Sequence, residues 1–288
     1  MVDRIRDNFA PKILSKADFS ELGQFIYTRL GIKMPDIKRG MIESRLRKRL
    51  NVLNIDSYSQ YCDYLFSREG QDKELPFFID EITTNKTDFF REPHHFEYMM
   101  EKALPDLARN RGVGINRKLM VWSSACSRGD EPYTLAMVLS EYARAHSGFD
   151  FSILATDIST RVLKTAVAGI YDSSLIEPVP QDYRRRYLLK SKDKTKQLVR
   201  IRPELRQKVV FRRLNLMDDD FQIRQNVDIL FCRNVIIYFD KPTTDRLMVK
   251  LCNKLSVGGY LFMGHSELLD CNSLPVKGVA PTIYKKVD

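Results

Sequence analysis

From Lys118 onward the chain alternates continuous apolar runs with apolar-periodic ones, and this alternation constrains the fold more than any other feature. "KLMVWSSA" precedes the helical "EPYTLAMVLSEYARAH", "FSILATDIS" precedes "TRVLKTAVAGIY", and "VVFRRLNLM", "VDILFCRNVIIYF" and "GGYLFMGHS" follow in turn. Strands that are apolar along their whole length are buried on both faces, so the pattern predicts a parallel sheet covered by helices on either side. Between Gly169 and Lys208 the rhythm breaks, and "DYRRRYLLKSKDKTKQLVRIRPEL" reads as two short strands about a lysine-rich turn, an inserted antiparallel subdomain. Ahead of the sheet, from Ala17 to about Asp80, the periodicity is helical throughout, broken at Gly31, Pro35, Asn54 and Gly70.

Open parallel sheets bind their ligands at the carboxyl ends of the strands, near the point where strand order reverses. The first such end lies in "VWSSACSRGDEPYTLAM" (121–137), which has one glycine, Gly129, and two acids, Asp130 and Glu131. A dinucleotide site needs several glycines there for the approach of a pyrophosphate, and carboxylates repel one. The second end carries Asp157, the place of a ribose-binding acid, the third Asn215, and the fourth, "CRNVIIYF", Arg233, Asn234 and Tyr238. A nucleoside bearing positive charge in place of phosphate satisfies this set, which points to S-adenosylmethionine. Acids in a first helical turn also suit simple capping. It is their combination with Asp157 and the fourth strand that favours the cofactor.

"ITTNKTDFFREPHHF" (82–96) sets Asn85, Thr87 and Arg91 among aromatics, the composition of a loop that closes over a bound nucleoside. Glu92 and Pro93 read as the start of the next helix. His94 and His95 are adjacent, so their side chains diverge, and no third ligand is spaced to join them; no metal is expected.

The five cysteines are odd in number and form no CxxC pair, which argues against a disulfide framework or a zinc site. Cys126 lacks the partners of a catalytic thiol. No apolar run is long enough to cross a bilayer and the opening "MVDRIRDNFAPKIL" has no leader core, so a cytoplasmic protein is expected. The formal charge of +10 is concentrated: Gln181 to Arg213 holds thirteen Lys/Arg against three Asp/Glu, and "IKRGMIESRLRKRL" (37–50) holds six against Glu43. Such fields call for an acidic partner. On a helical wheel Lys38, Arg45 and Arg49 fall along one line beside Ile42, Leu46, Leu50 and Leu53.

The ordered set "TTNKTDFFREPHHF", "VWSSACSRGDEPYTLAM", "ATDIS", "NL" at 215–216, "FCRNVIIYFD" and "GHSE" resembles the CheR family of bacterial chemoreceptor glutamate O-methyltransferases, over nearly the whole chain. The resemblance implies an α/β fold: a class I S-adenosylmethionine-dependent methyltransferase (Rossmann-like) domain over 85–288 with a small antiparallel β-subdomain at about 169–208, after an all-helical amino-terminal domain over 1–84. By the same resemblance Asn85, Thr87, Arg91, Glu131, Asp157, Asn215, Leu216, Arg233 and Asn234 contact the cofactor, and Arg91 and Tyr238 lie about the transferable methyl. Arg128 and Asp130 depart from the small residue and glutamate common there. The implied partner is the cytoplasmic domain of a methyl-accepting receptor, met by Lys38, Arg45 and Arg49 on the basic helix at about 37–53, with a receptor-tail peptide at the β-subdomain. A monomer recruited to membrane receptor arrays is expected. A nucleic-acid methyltransferase would share the fold and the charge, but "RNVIIYF" lacks the Asn-Pro-Pro-aromatic strand end of enzymes that methylate base amino groups. A non-catalytic receptor-binding adaptor is the other alternative.

Overall fold

A computed structural model describes residues 13–193 and 195–287. Residues 1–12, part of the opening read above for a leader, and Lys194 of the lysine-rich turn lie outside the described residues. The chain forms two compact units, one ending at Thr84 and one beginning at Asn85.

The first unit is helical: α1 (Lys16–Leu30), α2 (Arg39–Leu53), α3 (Tyr58–Phe66), α4 (Arg68–Lys73) and α5 (Leu75–Ile82). Ser15 and Ser57 cap α1 and α3 by accepting the N–H groups of Asp18 and Gln60, and α1 and α2 end on left-handed Gly31 and Asn54. The i, i+4, i+8 set Ile42, Leu46 and Leu50 buries one face of α2, which packs against α5, whose Phe78, Ile79 and Ile82 are buried.

Two of the basic residues expected to face a receptor are used inside this unit. Arg49 donates to both carboxylate oxygens of Glu74 at 2.6 and 2.8 Å, its side chain only 11% exposed, and Tyr61 donates to the same carboxylate at 2.9 Å. Arg45 donates to the carbonyls of Ile82 (2.7 Å) and Glu81 (3.3 Å) at the end of α5 and to Thr84 Oγ1 at 3.2 Å. The expectation that Arg45 and Arg49 present an outward charged face is therefore corrected. Glu74 is fully enclosed and needs a cation, and the last carbonyls of α5 need donors. Lys38 is half-buried and reaches the carbonyl of Lys33, whereas Arg47 and Lys48 are exposed.

The second unit opens with α6 (His94–Tyr98) and α7 (Leu104–Arg111) and then alternates strand and helix. Its seven-stranded sheet contains β1 (Leu119–Ser123), β2 (Phe151–Asp157), β6 (Val209–Arg213), β7 (Val227–Cys232), β8 (Leu255–Met263), β9 (Val276–Ala280) and β10 (Ile283–Lys286), in the order β6-β2-β1-β7-β8-β10-β9. The first five of that order are parallel, and β10 and β9 close the far edge antiparallel. Helices α8 (Asp130–Ala145), α9 (Thr160–Ala168) and α12 (Lys241–Lys254) connect the parallel strands. β7 shows why its sequence is apolar throughout: Ile229 and Phe231 enter one core with Phe96 and Phe262, while Leu230 and Cys232 enter another with Trp122 and Leu251. The chain runs outward from β1 through β2 to β6, then returns to β7 on the other side of β1, so strand order reverses between β1 and β7.

A three-stranded antiparallel sheet, β3 (Ile170–Asp172), β5 (Leu198–Ile201) and β4 (Leu188–Lys190), forms the inserted subdomain with α10 (Gln181–Tyr187) and α11 (Pro203–Arg206). Two of its strands flank the lysine-rich turn; β3 is additional, and "QDYRRRY" is helical. One face, Tyr171, Leu188, Val199 and Ile201, is buried, and the other exposes Ile170, Leu189 and Leu198.

Candidate active site

The reversal between β1 and β7 places their carboxyl ends side by side, with Ser124 donating its N–H to the carbonyl of Phe231 at 2.9 Å. After β1 the chain makes a turn in which Ser127 (φ 49°) and Gly129 (φ 98°) are left-handed, and α8 begins at Asp130. Asp157, the last residue of β2, fixes that turn: its Oδ2 accepts the N–H of Ser127 at 2.8 Å and its Oδ1 that of Ser159 at 2.9 Å. Leu214 donates its N–H to the carbonyl of Asp157, which brings Asn215 beside the same strand end. Asn215 turns its own side chain onto the N–H of Met217. Leu216 has its side chain in the core with Trp122 and Phe221, and its carbonyl accepts from Lys250 Nζ at 2.9 Å.

The segment 85–92 is held to this turn chiefly through its own carbonyls. Ser127 Oγ donates to the carbonyl of Asn85 (2.9 Å), Arg128 to that of Thr87 (2.8 Å) and Arg233 to that of Arg91 (2.9 Å). Thr134 Oγ1 accepts the N–H of Phe90 at 3.1 Å. Arg91 itself reaches the carbonyl of Lys86 at 3.2 Å.

Neither carboxylate of the opening pair is a free anion, which corrects the simplest electrostatic reading of the sequence. Asp130 is fully buried and grips Arg128 through contacts of 3.0 Å to each of its oxygens; burial pushes its carboxyl up and Arg128 pulls it back. Glu131 accepts from Arg233 Nε at 2.7 Å and from Ser123 Oγ at 2.6 Å. Arg233 is also 3.6 Å from Glu92, so two carboxylates share one guanidinium. Arg91 Nε lies 4.0 Å from Glu92 Oε1, so with His95 neutral the two carboxylates and two guanidiniums cancel, and Asp157 leaves one net negative charge. His95 is neutral because burial, and then the adjacent Arg233, push its pKa down to about 3. Arg233 has only donors, so His95 Nδ1 accepts from it at 3.0 Å, and Nε2 carries the proton toward Thr282 Oγ1 at 2.9 Å. That tautomer makes the 3.4 Å approach of His95 to Glu92 a contact and not an ion pair. The thiol of Cys126 is buried and pushed well up by desolvation, which makes it a packing group.

Asn234 leaves β7 in the left-handed region (φ 58°), and Glu92 (φ 56°) and Phe90 (φ 55°) share that conformation. Asn234 Nδ2 donates to Glu92 Oε1 at 3.3 Å. Tyr238 follows in a single 3-10 turn, Ile236–Tyr238, and is partly exposed. Glu267, the acid of "GHSE", is buried and accepts backbone N–H groups from this same segment. Sequence reasoning assigned Glu92 to helix initiation and gave Glu267 no role. The one available signal was an acid three residues beyond a glycine that ends a strand.

The arrangement fits a cationic nucleoside: a pinned acid after β2, a turn with two left-handed residues after β1, and a net negative charge where a phosphate site would be positive. Among known proteins, residues 85–283 match the CheR methyltransferase, SAM binding domain family, and residues 17–83 match the CheR methyltransferase, all-alpha domain family. A chemotaxis protein methyltransferase of Borreliella burgdorferi is 38% identical over 274 residues, 95% of each chain. Chemotaxis protein methyltransferase 2 of Pseudomonas aeruginosa is 39% identical over 272 residues, covering 94% of this chain and 93% of that one. The chemotaxis protein methyltransferase of Escherichia coli is 38% identical over 254 residues, covering 88% and 85%.

Proposed function

The chain belongs to the CheR methyltransferases and is S-adenosylmethionine-dependent, and from that premise we propose that it esterifies glutamate side chains of a bacterial chemoreceptor at the carboxyl ends of β1, β2 and β7. The observation that carries the site assignment is the cluster of three carboxylates, Asp157, Glu131 and Glu92, against two guanidiniums, Arg233 and Arg91, which leaves a net negative charge at these strand ends.

The cofactor supplies an electrophilic methyl group on a sulfonium. A glutamate acceptor, with a pKa near ~4.3, is already ionised at neutral pH, so no general base is required. The bound cofactor would supply its methyl to that oxygen, leaving S-adenosylhomocysteine and a neutral methyl ester. The protein's task is alignment in a water-poor site. Asp157 would hold the ribose, Asn215 and the backbone of Leu216 the base, and Asn85, Thr87, Glu131, Arg233 and Asn234 the remainder. Arg91, on the segment tied to Arg233, would hold the incoming carboxylate, and Tyr238 would pack beside the methyl.

The outward bases of α2, Arg47 and Lys48 with half-buried Lys38, would face an acidic receptor helix. A receptor-tail peptide would add to an edge of the β3-β5-β4 sheet, where Ile170 and Leu189 are exposed on the edge strands. The protein would act as a cytoplasmic monomer recruited to receptor arrays. No described helix is long and apolar enough to cross a membrane. Incubation with labelled methyl donor and receptor membranes tests the assignment. Label in base-labile protein esters supports it, and label in nucleic acid, or none, contradicts it.

A further inference from the structure

We propose that Glu267 is a positioning residue of the methyl-transfer site, the carboxylate that holds the segment from Asn234 to Tyr238 in its working shape; this rests on the assignment of Asn234 and Tyr238 to that site. Glu267 is 2% exposed, and its partners are backbone N–H groups: Asn234 at 2.7 Å, Val235 at 2.9 Å, Ile236 at 3.0 Å and Gly264 at 2.7 Å. An ionised carboxylate offers about four acceptor positions, and here all four donors come from main chain.

Three of those donors belong to successive residues. The left-handed kink at Asn234 turns the N–H groups of 234, 235 and 236 toward one point, a concavity built for an anion. Glu267 is that anion. Without its charge, converging buried N–H groups lose their acceptor, and the segment has no reason to keep the kink. Asn234 is thus gripped twice, by Glu267 at its main chain and by Glu92 at its amide, and Glu92 also accepts the N–H of His265 at 3.2 Å. The fit is close: a Cβ on Gly264 would stand 2.6 Å from both Glu267 Oε2 and Asn234 Nδ2. Neither carboxylate reaches the reacting atoms in this scheme. Glu267 acts only through Asn234 and the turn that carries Tyr238.

Glu267→Gln tests this directly, because it preserves size while placing an NH2 group against two N–H donors. Asp228→Asn, at the opposite end of β7, is the comparison: a carboxylate equally enclosed that accepts from Arg117 and from the N–H of Met120. S-adenosylhomocysteine affinity by calorimetry, melting temperature, and kcat and KM on receptor membranes are measured for each. Glu267→Gln is expected to weaken product binding by about 10-fold or more and to lower kcat more than it raises receptor KM. Glu267→Asp, which keeps the charge, is expected to recover part of both. Asp228→Asn is expected to melt earlier while holding affinity within about twofold. Wild-type affinity and turnover in Glu267→Gln, or a loss no greater than in Asp228→Asn, overturns the inference. Should Glu267→Gln yield no folded protein, Gly264→Ala, whose Cβ would press on the same carboxylate and on Asn234, carries the same contrast, and its binding the product like wild type overturns it. A wild-type protein that binds no S-adenosylhomocysteine overturns the site assignment instead.

Discussion

Strand β7 has enclosed carboxylates at both ends, and the two ends use them differently. At its start Asp228 accepts from Arg117 at 2.8 and 2.5 Å and from the N–H of Met120, which ties β7 to the beginning of β1. Just past its end Glu131, Glu92 and Glu267 converge on Arg233 and Asn234, and they hold segments and not strands. The backbone differs accordingly: the carboxyl end is surrounded by left-handed Phe90, Glu92, Ser127 and Asn234, each about 1 kcal/mol or more above a relaxed conformation. The left-handed non-glycine residues gather at the carboxyl end; at the other end the β7–β8 pairing shifts register between Val227 and Ile229, and the left-handed position nearby is a glycine, Gly258, which carries no such cost. Buried charge by itself does not separate the two; what the charge fastens does.

The sharpest way to break this comparison is Arg233→Met. It leaves Glu131 and Glu92 enclosed without their shared cation, so a loss of about 3–5 kcal/mol in denaturant melts is expected together with loss of methyl transfer. Unchanged stability would show that the two acids are not charged against Arg233. The helical unit offers a pair of the Asp228 kind: Arg49→Met should cost a similar ~3–5 kcal/mol by stranding Glu74, with folded protein still binding S-adenosylhomocysteine. There, a selective loss of cofactor affinity would contradict the structural role given to Arg49.

Two glycines of β8 and its exit refine the contrast at about 1–3 kcal/mol each. A Cβ on Gly259 would stand 2.8 Å from the carbonyl oxygens of Asp228 and Ser256, and one on Gly264 would press on Asn234 and Glu267. Gly259→Ala should lower the melting temperature alone, and Gly264→Ala should weaken S-adenosylhomocysteine binding as well; equal binding in both would erase the distinction. The gentlest test is pH. His95 has its pKa depressed to about 3, below the ordinary 6.5, so an unfolded chain takes up its proton first as acid is added. The stability it contributes is fully present above about pH 6.5 and declines at about 1.4 kcal/mol per unit as pH falls toward 3. His95→Gln should flatten that slope in pH-dependent melts, and an unchanged slope would place the acid sensitivity elsewhere.

How much of this was legible in the sequence depends on whether a feature is local. β1, β2, β6, β7 and β8 announce themselves because strands covered on both faces are continuously apolar. The outer pair β9 and β10 is hidden because "VKGVAPTIYKK" mixes lysines into the two antiparallel strands, and α10 because "QDYRRRY" is too polar to show a period. Among site residues, types and strand-end positions were readable, as with Asp157 and Asn234. Pairings were not: Glu131 meets Arg233 across 102 residues. The helical wheel gave the direction of Arg45 and Arg49 but not the carboxylate and carbonyls waiting there. Glu267 was least readable of all, since its partners are main-chain N–H groups that every residue except proline possesses.

The most direct test of the central claim, a pocket at the carboxyl end of the sheet charged to hold a cationic nucleoside, is a calorimetric titration of the wild-type protein beside Asp157→Ala. The account predicts that the wild type binds S-adenosylmethionine and S-adenosylhomocysteine, that NAD produces no heat, and that Asp157→Ala loses the binding while staying folded. Tight uptake of NAD by the wild type, or undiminished S-adenosylmethionine binding by Asp157→Ala, would contradict it.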